Sequence, residues 1–416
     1  MKRILLLACL VLSMATLSAQ EVAKITNDIQ PVTTDTIKGN IIAPVDSALV
    51  TSAATAELAV DTVPPKKLNF FQKFIKYFSD ANKPKDRKKF DLSFIGGPSY
   101  SVECGFQIGV LGAAQYYLPG TENVQQPSQM ALSLSVGTVG YYSVAFRTNN
   151  FFADDNYRLN GDLNFYSFPS KFWGIGYDDG KKTENETKMK YLSFNANVEF
   201  LRKLHTNLYA GINANFNYSS IQDMACDSLL YGQPYKVPNF GLGLRLFYDS
   251  RDVVTCAHEG VYLSLTQMFN PRFLGNGDYN FISTLTDFRY YQKVWKGGVL
   301  AFQVIGNFKY GNPTWASLVQ YGGSDMGRGY YEGRFRDKYM VAGQMEVRQH
   351  VWKRLGIVLF GGAGSVFHDS ASFKKWLPMG GIGLRWEFKK FMNIRLDFGI
   401  GAFKSSAFVF NMNESF

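Results

Sequence analysis

From Phe90 to Phe416, apolar and polar side chains alternate along most of the chain. In Tyr191–Phe200, Leu192, Phe194, Ala196, Val198 and Phe200 share one face, while Ser193, Asn195, Asn197 and Glu199 share the other. Phe240, Leu242, Leu244, Leu246 and Tyr248 likewise oppose Gly241, Gly243, Arg245 and Asp249, and Ile394, Leu396 and Phe398 oppose Arg395 and Asp397. A period of two is strand spacing, because successive side chains point to opposite faces of a sheet. Sixteen such segments are predicted between residues 89 and 416, the first over 89–99 and the last over 405–416. A β-sandwich alternates too. Here, however, one face stays polar through many strands and is built of Asn, Ser and Gly, with bulky aromatics on the other. A polar interior and an apolar exterior define a transmembrane barrel, and an even strand number suits antiparallel closure. The fold expected is all-β, a 16-stranded antiparallel transmembrane barrel. Its longest connection, 311–338, exceeds an ordinary loop.

Different patterns precede the barrel. Met1-Lys2-Arg3, the apolar run Ile4–Leu17 and the small residues Ser18 and Ala19 read as a signal peptide over 1–20. Residues 21–65 contain no aromatic residue and no sustained period, as expected of a flexible periplasmic tail. In 66–88, Leu68, Phe71, Ile75 and Phe78 recur at helical spacing with Phe70 and Phe74 beside them, flanked by Lys66, Lys67, Lys73 and Lys76. That stripe predicts an amphipathic helix and linker lying at the periplasmic membrane face. The barrel then occupies 89–416.

Composition supports this division. Charged residues reach 19% and aromatics 16% of the 416 residues, whereas soluble domains carry roughly 25% charged residues. Removing the leader lowers the net charge from +10 to +8, and nine Lys or Arg against two Asp in 66–89 account for +7 of it. A patch of that sign at a membrane suits anionic lipid headgroups and gives no support to nucleic-acid binding. His205, His258, His350 and His368 stand apart from any H-x-x-E-H or G-x-S-x-G context, so no enzyme, metal site or cofactor is expected. Alternation places Cys226 and Cys256 in connections at opposite ends of the barrel, which predicts no disulfide, and places Cys104 on the apolar face. Phe408, Phe410, Met412 and Phe416 are expected on one face of the last strand, like the C-terminal assembly signal of outer-membrane barrels.

Within 311–338, Gly327-Arg328-Gly329-Tyr330 resembles the Arg-Gly-aromatic tip of the lumen loop in the BamA/TamA superfamily of bacterial surface antigen barrels. Gln344-Met345-Glu346-Val347-Arg348 resembles the strand that follows, and Tyr248 to Gly260 its D-x-R-D turn, with Ala257 where Pro is usual. A guanidinium inside a barrel needs a carboxylate, so Arg328 is expected to pair with Glu346. The family's lumen strand Phe-x-Asp-x-Gly reads here Phe360-Gly361-Gly362-Ala363-Gly364, which predicts that a second carboxylate is missing. Residues 21–88 do not read as a POTRA domain, so the resemblance is to a POTRA-less branch.

The resemblance implies a non-enzymatic outer-membrane barrel of a Gram-negative bacterium, with its N-terminal tail in the periplasm. It would act in outer-membrane biogenesis or lipid homeostasis by perturbing the bilayer at the seam between first and last strands. Its partners would be outer-membrane lipids and, during its own insertion, the barrel assembly machinery; a homo-oligomer or envelope complex is compatible with the pattern. The alternative is a passive channel or a structural subunit of an outer-membrane complex.

Overall fold

The computed structural model describes residues 90–101, 105–118, 127–152, 155–254, 256–389, 392–412 and 414–416. The signal peptide, the 21–65 tail, the 66–88 stripe and Cys104 lie outside the described residues.

Sixteen strands form one antiparallel sheet in which each strand pairs with its neighbour in the chain. The first eight are β1 (Phe90–Ser101), β2 (Gly105–Tyr116), β3 (Ser128–Gly137), β4 (Tyr142–Phe152), β5 (Tyr157–Phe172), β6 (Thr187–His205), β7 (Leu208–Met224) and β8 (Lys236–Asp249). They continue through β9 (Gly260–Asn270), β10 (Phe281–Trp295) and β11 (Gly298–Gly311). Two short strands, β12 (Val319–Tyr321) and β13 (Phe335–Asp337), pair only with each other inside the long connection. The main sheet resumes with β14 (Tyr339–Trp352) and runs through β15 (Leu355–Phe367), β16 (Leu377–Lys389), β17 (Met392–Gly401) and β18 (Ser406–Met412). Helix α1 (Tyr177–Lys181) follows β5, and α2 (Ser370–Phe373) follows β15. Among the described residues no helix is long and apolar enough to cross a membrane.

The sheet's two ends differ. At one end three connections are only two residues, 206–207, 296–297 and 353–354, beside the longer 117–127 and 250–259. Asn207, Gly297 and Lys353 hold positive φ there (63°, 74° and 50°), as tight hairpins demand. At the other end five connections are long, 173–186, 225–235, 271–280, 312–338 and 368–376, and 138–141 and 402–405 are short. Cys226 and Cys256 are free and lie at these opposite ends.

Alternation maps onto the faces as expected. Leu244, Leu359 and Ile382 project from one face and are 58%, 61% and 64% exposed. Such a continuous apolar surface is viable only against hydrocarbon. Cross-strand aromatic pairs add to it: Phe216 and Phe240 stand opposite each other with ring centroids 4.3 Å apart. The other face carries Ser193, Glu199, Asn213, Asn239 and Ser264, all buried. Contacts between distant strands show that this face curls inward. Lys375, beyond β15, reaches Asp178, beyond β5, at 2.6 Å. Arg334 spans from the Gly180 carbonyl to Ser405.

The last strand departs from expectation. Phe408 is exposed on the outer face and Phe410 half-buried, but β18 stops at Met412. Phe416 does not share their face: it is buried beside Ala257, Tyr291 and Ala301. The cause is electrostatic. Glu414 breaks the apolar alternation, and its carboxylate is held in the interior by Arg385 at 2.7 Å. Ser415 follows it, donating to Glu346 at 2.6 Å.

Candidate functional site

The connection between β11 and β14 folds onto the inner face and carries the candidate site. Its stem is the β12–β13 hairpin, with Val319 opposite Asp337 and Tyr321 opposite Phe335. The tip turns through Gly327 (φ 78°) and Gly329 (φ 114°), conformations that a side chain would strain. Gly329 also lies against the β17 backbone, where a Cβ would come within 2.8 Å of the Ile400 carbonyl carbon. Gly399 returns the constraint, since a Cβ there would meet the Arg328 carbonyl oxygen at 2.6 Å. Loop and wall meet backbone to backbone because neither carries a side chain at the contact.

Other glycines seat the loop's rings. A Cβ on Gly364 would collide with Tyr321, and one on Gly401 with Tyr330. The Tyr330 hydroxyl donates to the Pro378 carbonyl and accepts from the Ala402 amide, both at 2.7 Å. Gly364 of β15 and Gly401 of β17 thus make room for the loop.

Arg328 is fully buried at the centre. Its guanidinium pairs with Glu346 at 2.6 Å and Asp397 at 2.7 Å and lies 3.6 Å from the Phe360 ring centre. The expected pair with Glu346 is present. The expected loss of a second carboxylate is not: Asp397, on β17, fills that role from a different strand. A side chain at 362 would collide with the β14 backbone at Gly343, whereas β17 alternation aims residue 397 at the same guanidinium.

The pairing continues. Asp397 also holds Arg385 at 2.5 Å, Arg385 holds Glu414 at 2.7 Å, and Arg348 joins Glu414 at 3.7 Å and Glu346 at 2.7 Å. Three guanidiniums and three carboxylates therefore alternate around a closed ring. It joins the loop tip to β14, β16, β17 and the segment after β18. Beside it, Arg395 grips the loop through the Ser324 carbonyl at 3.2 Å and Asp325 at 3.1 Å. Buried charges are tolerated when they are paired, and in this ring each guanidinium faces two carboxylates and each carboxylate two guanidiniums.

Sequence reading placed Arg328, Glu346 and Phe360 together. It did not bring in Asp397, Arg348, Arg385, Arg395 or Glu414. For Asp397, Arg348, Arg385 and Arg395 the signal was available: they occupy inward strand positions, and inward charges inside a membrane barrel must find one another; Glu414, beyond β18, carried no such signal.

The turn 250–259 is organised by Asp252, whose carboxylate accepts from the Val253, His258 and Glu259 amides. Burial opposes its charge, but those amides and the nearby His258 hold its pKa below the ordinary value. Ala257, in place of the usual Pro, is buried against Phe416. Burial pushes the Cys256 thiol up to about 12, which makes it a poor nucleophile. His368, expected to stand alone, pairs with Asp337 at 2.8 Å. Among the described residues no group of His, Cys, Asp or Glu could hold a metal ion. The arrangement can anchor a loop and couple it to the last strands; it offers no nucleophile–base pair within the ring.

Comparison with known proteins agrees with this architecture. Residues 126–416 match the Omp85 superfamily domain. BamA from Haemophilus ducreyi lacking POTRA domains 1–3 is similar in structure, with a TM-score of 0.54 and 13% identity over 79% of this chain and 71% of that one. CdiB from Acinetobacter baumannii gives a TM-score of 0.51 and 13% identity over 79% of this chain and 60% of that one. No curated protein matches significantly. None of the described residues forms a POTRA domain. With its sixteen antiparallel strands and inserted loop, the chain belongs to the Omp85 superfamily, as an outer-membrane β-barrel similar to BamA and CdiB.

Proposed function

We propose that this barrel acts without enzymatic chemistry in outer-membrane biogenesis or lipid homeostasis, by perturbing the bilayer at the seam between β1 and β18. One observation carries the reading. β1 and β18 are the two terminal strands of the sheet order, and their lengths do not match. β1 is twelve residues long, β18 only seven, and the residues after β18 are drawn inward by the ion-pair ring. Backbone groups left unpaired in hydrocarbon are costly. The bilayer relieves that cost by thinning and admitting water, or another strand relieves it by pairing.

The short-turn end would face the periplasm, following the usual asymmetry of turns and loops. The basic 66–88 segment would then meet anionic lipid at the inner leaflet and add to the disturbance. The partners on this reading are outer-membrane lipids, and the assembly machinery that inserts the barrel itself.

The test is a cysteine pair, one residue in β1 and one in β18, in cells depleted of the native protein. Lipid and outer-membrane protein profiles should stay abnormal while the pair is oxidised and recover on reduction. Full complementation by the oxidised form would remove the seam from the mechanism. The second reading, a passive channel, is disfavoured by the buried loop; large steady planar-bilayer conductance would restore it.

A further inference from the structure

We infer that the outer wall holds one membrane lipid by an acyl chain, in a hollow beside β14 and β15 at the long-loop end. The hollow has a volume of about 470 Å³ and is lined by Phe308, Tyr339, Val341, Phe367 and Phe373. Alternation puts Tyr339, Val341 and Phe367 on the outward face, because Met340, Ala342, Phe360 and Val366 on the same strands are buried inside, and Phe308 of β11 stands opposite Tyr339. The hollow is therefore continuous with the wall that contacts hydrocarbon, and its occupant is one that hydrocarbon supplies.

Its aromatic wall is preformed. Tyr339 and Phe367 have ring centroids 5.5 Å apart, Phe367 and Phe373 4.8 Å, and Phe373 and Trp376 5.7 Å. Phe373 is fixed because Asp369 caps its short helix, accepting from the Ser372 amide at 2.7 Å. His368 is pinned by Asp337. His368, Asp369 and Ser370 close one corner of the same hollow, with the His368 ring and the Asp369 carboxylate engaged by Asp337 and Ser372. An acyl chain matches a lining that is almost wholly apolar.

The neighbouring wall extends the hollow toward mid-membrane. Gly343 stands opposite Ala363, and Gly361 stands opposite Gly380. A Cβ on Gly343, Gly361 or Gly380 would meet nothing closer than 3.7, 3.8 and 3.5 Å. Internal packing therefore does not demand glycine at these positions. What the missing side chains leave is a shallow trough on the lipid side, in line with the hollow. This inference rests on the lipid-facing wall alone and is independent of the seam.

The experiment uses the full chain in vesicles of phosphatidylethanolamine and phosphatidylglycerol, doped with a phospholipid carrying a diazirine in one acyl chain. After irradiation, adducts mapped by mass spectrometry should concentrate on 339–341 and 367–373. An enrichment of about fivefold over the outward residues 240–246 of β8 is expected, equivalent to roughly 1 kcal/mol of preference. Val341→Trp fills the hollow and should abolish the enrichment; Leu244→Trp, on the far wall, should not. Phe373→Ala opens the hollow from a connection outside the sheet and should lower the enrichment even if Val341→Trp fails to fold. Adducts spread evenly around the wall would overturn the inference.

Discussion

Arg328, on the inserted loop, and Arg147, on β4, are both guanidiniums against the inner face of one sheet, each paired with a carboxylate, yet their surroundings differ completely. Around Arg328, the inserted loop covers the wall formed by β14 to β18. Arg328, Glu346 and Asp397 have side chains 0% exposed. Around Arg147, on β4, none of the described loops forms such a cover. Its side chain is 16% exposed, that of its partner Asp162 on β5 is 22%, and Asn164 shares the same carboxylate. Nearby, Asn160 donates to Glu199, which also pairs with Arg245, itself 31% exposed. One wall is a fully buried ring of charge; the other is a set of Asn side chains and local pairs in which Arg147, Asp162 and Arg245 stay partly exposed. The sequence period is the same in both. What separates them is whether a loop excludes water, which changes the effective dielectric and so the penalty for losing a partner.

The sharpest test removes the charge that ties loop to wall. Arg328→Ala leaves Glu346 and Asp397 each short of a buried partner, although Arg348 and Arg385 remain nearby. Breaking such a buried pair costs about 3–5 kcal/mol. The midpoint of denaturant unfolding in detergent should fall accordingly, and protease should cut between 322 and 334 while the strands resist. Arg328→Lys keeps the charge but not the two-pronged geometry, so it should recover only part of the loss. An Arg328→Ala barrel within about 1 kcal/mol of the parent would mean the ring is not what seats the loop.

Glu414→Gln should have a smaller effect. Arg385 keeps Asp397 and Arg348 keeps Glu346, so the loss is one charge-assisted contact, on the order of 2 kcal/mol. Its location is more informative than its size. Hydrogen exchange at 414–416 should accelerate while the loop tip stays protected. If the loop tip loosens equally, the ring opens as a unit, and the tail and loop are coupled more tightly than pairwise contacts require.

These differences explain how much was legible from residues alone. Strand number, the orientation of Leu244 or Asn213, and the Arg328–Glu346 pair all follow from local alternation or a local motif. Asp397 was visible as an inward residue but not as a partner of Arg328, because 69 positions separate them and only the curl of the sheet brings them together. Phe416 was misplaced for the opposite reason. Local alternation was extended past residue 412, where an inward-facing acid overrode it. Three-residue strands such as β12 and β13 leave too short a pattern to read.

The least costly change should be on the open wall. In a double-mutant cycle, Arg147→Ala and Asp162→Ala should show a coupling of no more than about 1 kcal/mol, because water screens both groups and neighbouring polar side chains compensate. Raising the salt should shrink that coupling further, whereas the Arg328–Asp397 coupling, measured the same way, should hardly change. The salt response discriminates better than either magnitude, since it reports directly whether water and ions reach the pair. Equal salt sensitivity at both sites would show that the loop does not seal its wall, and the contrast between the two halves of the interior would then be one of geometry rather than of solvent access.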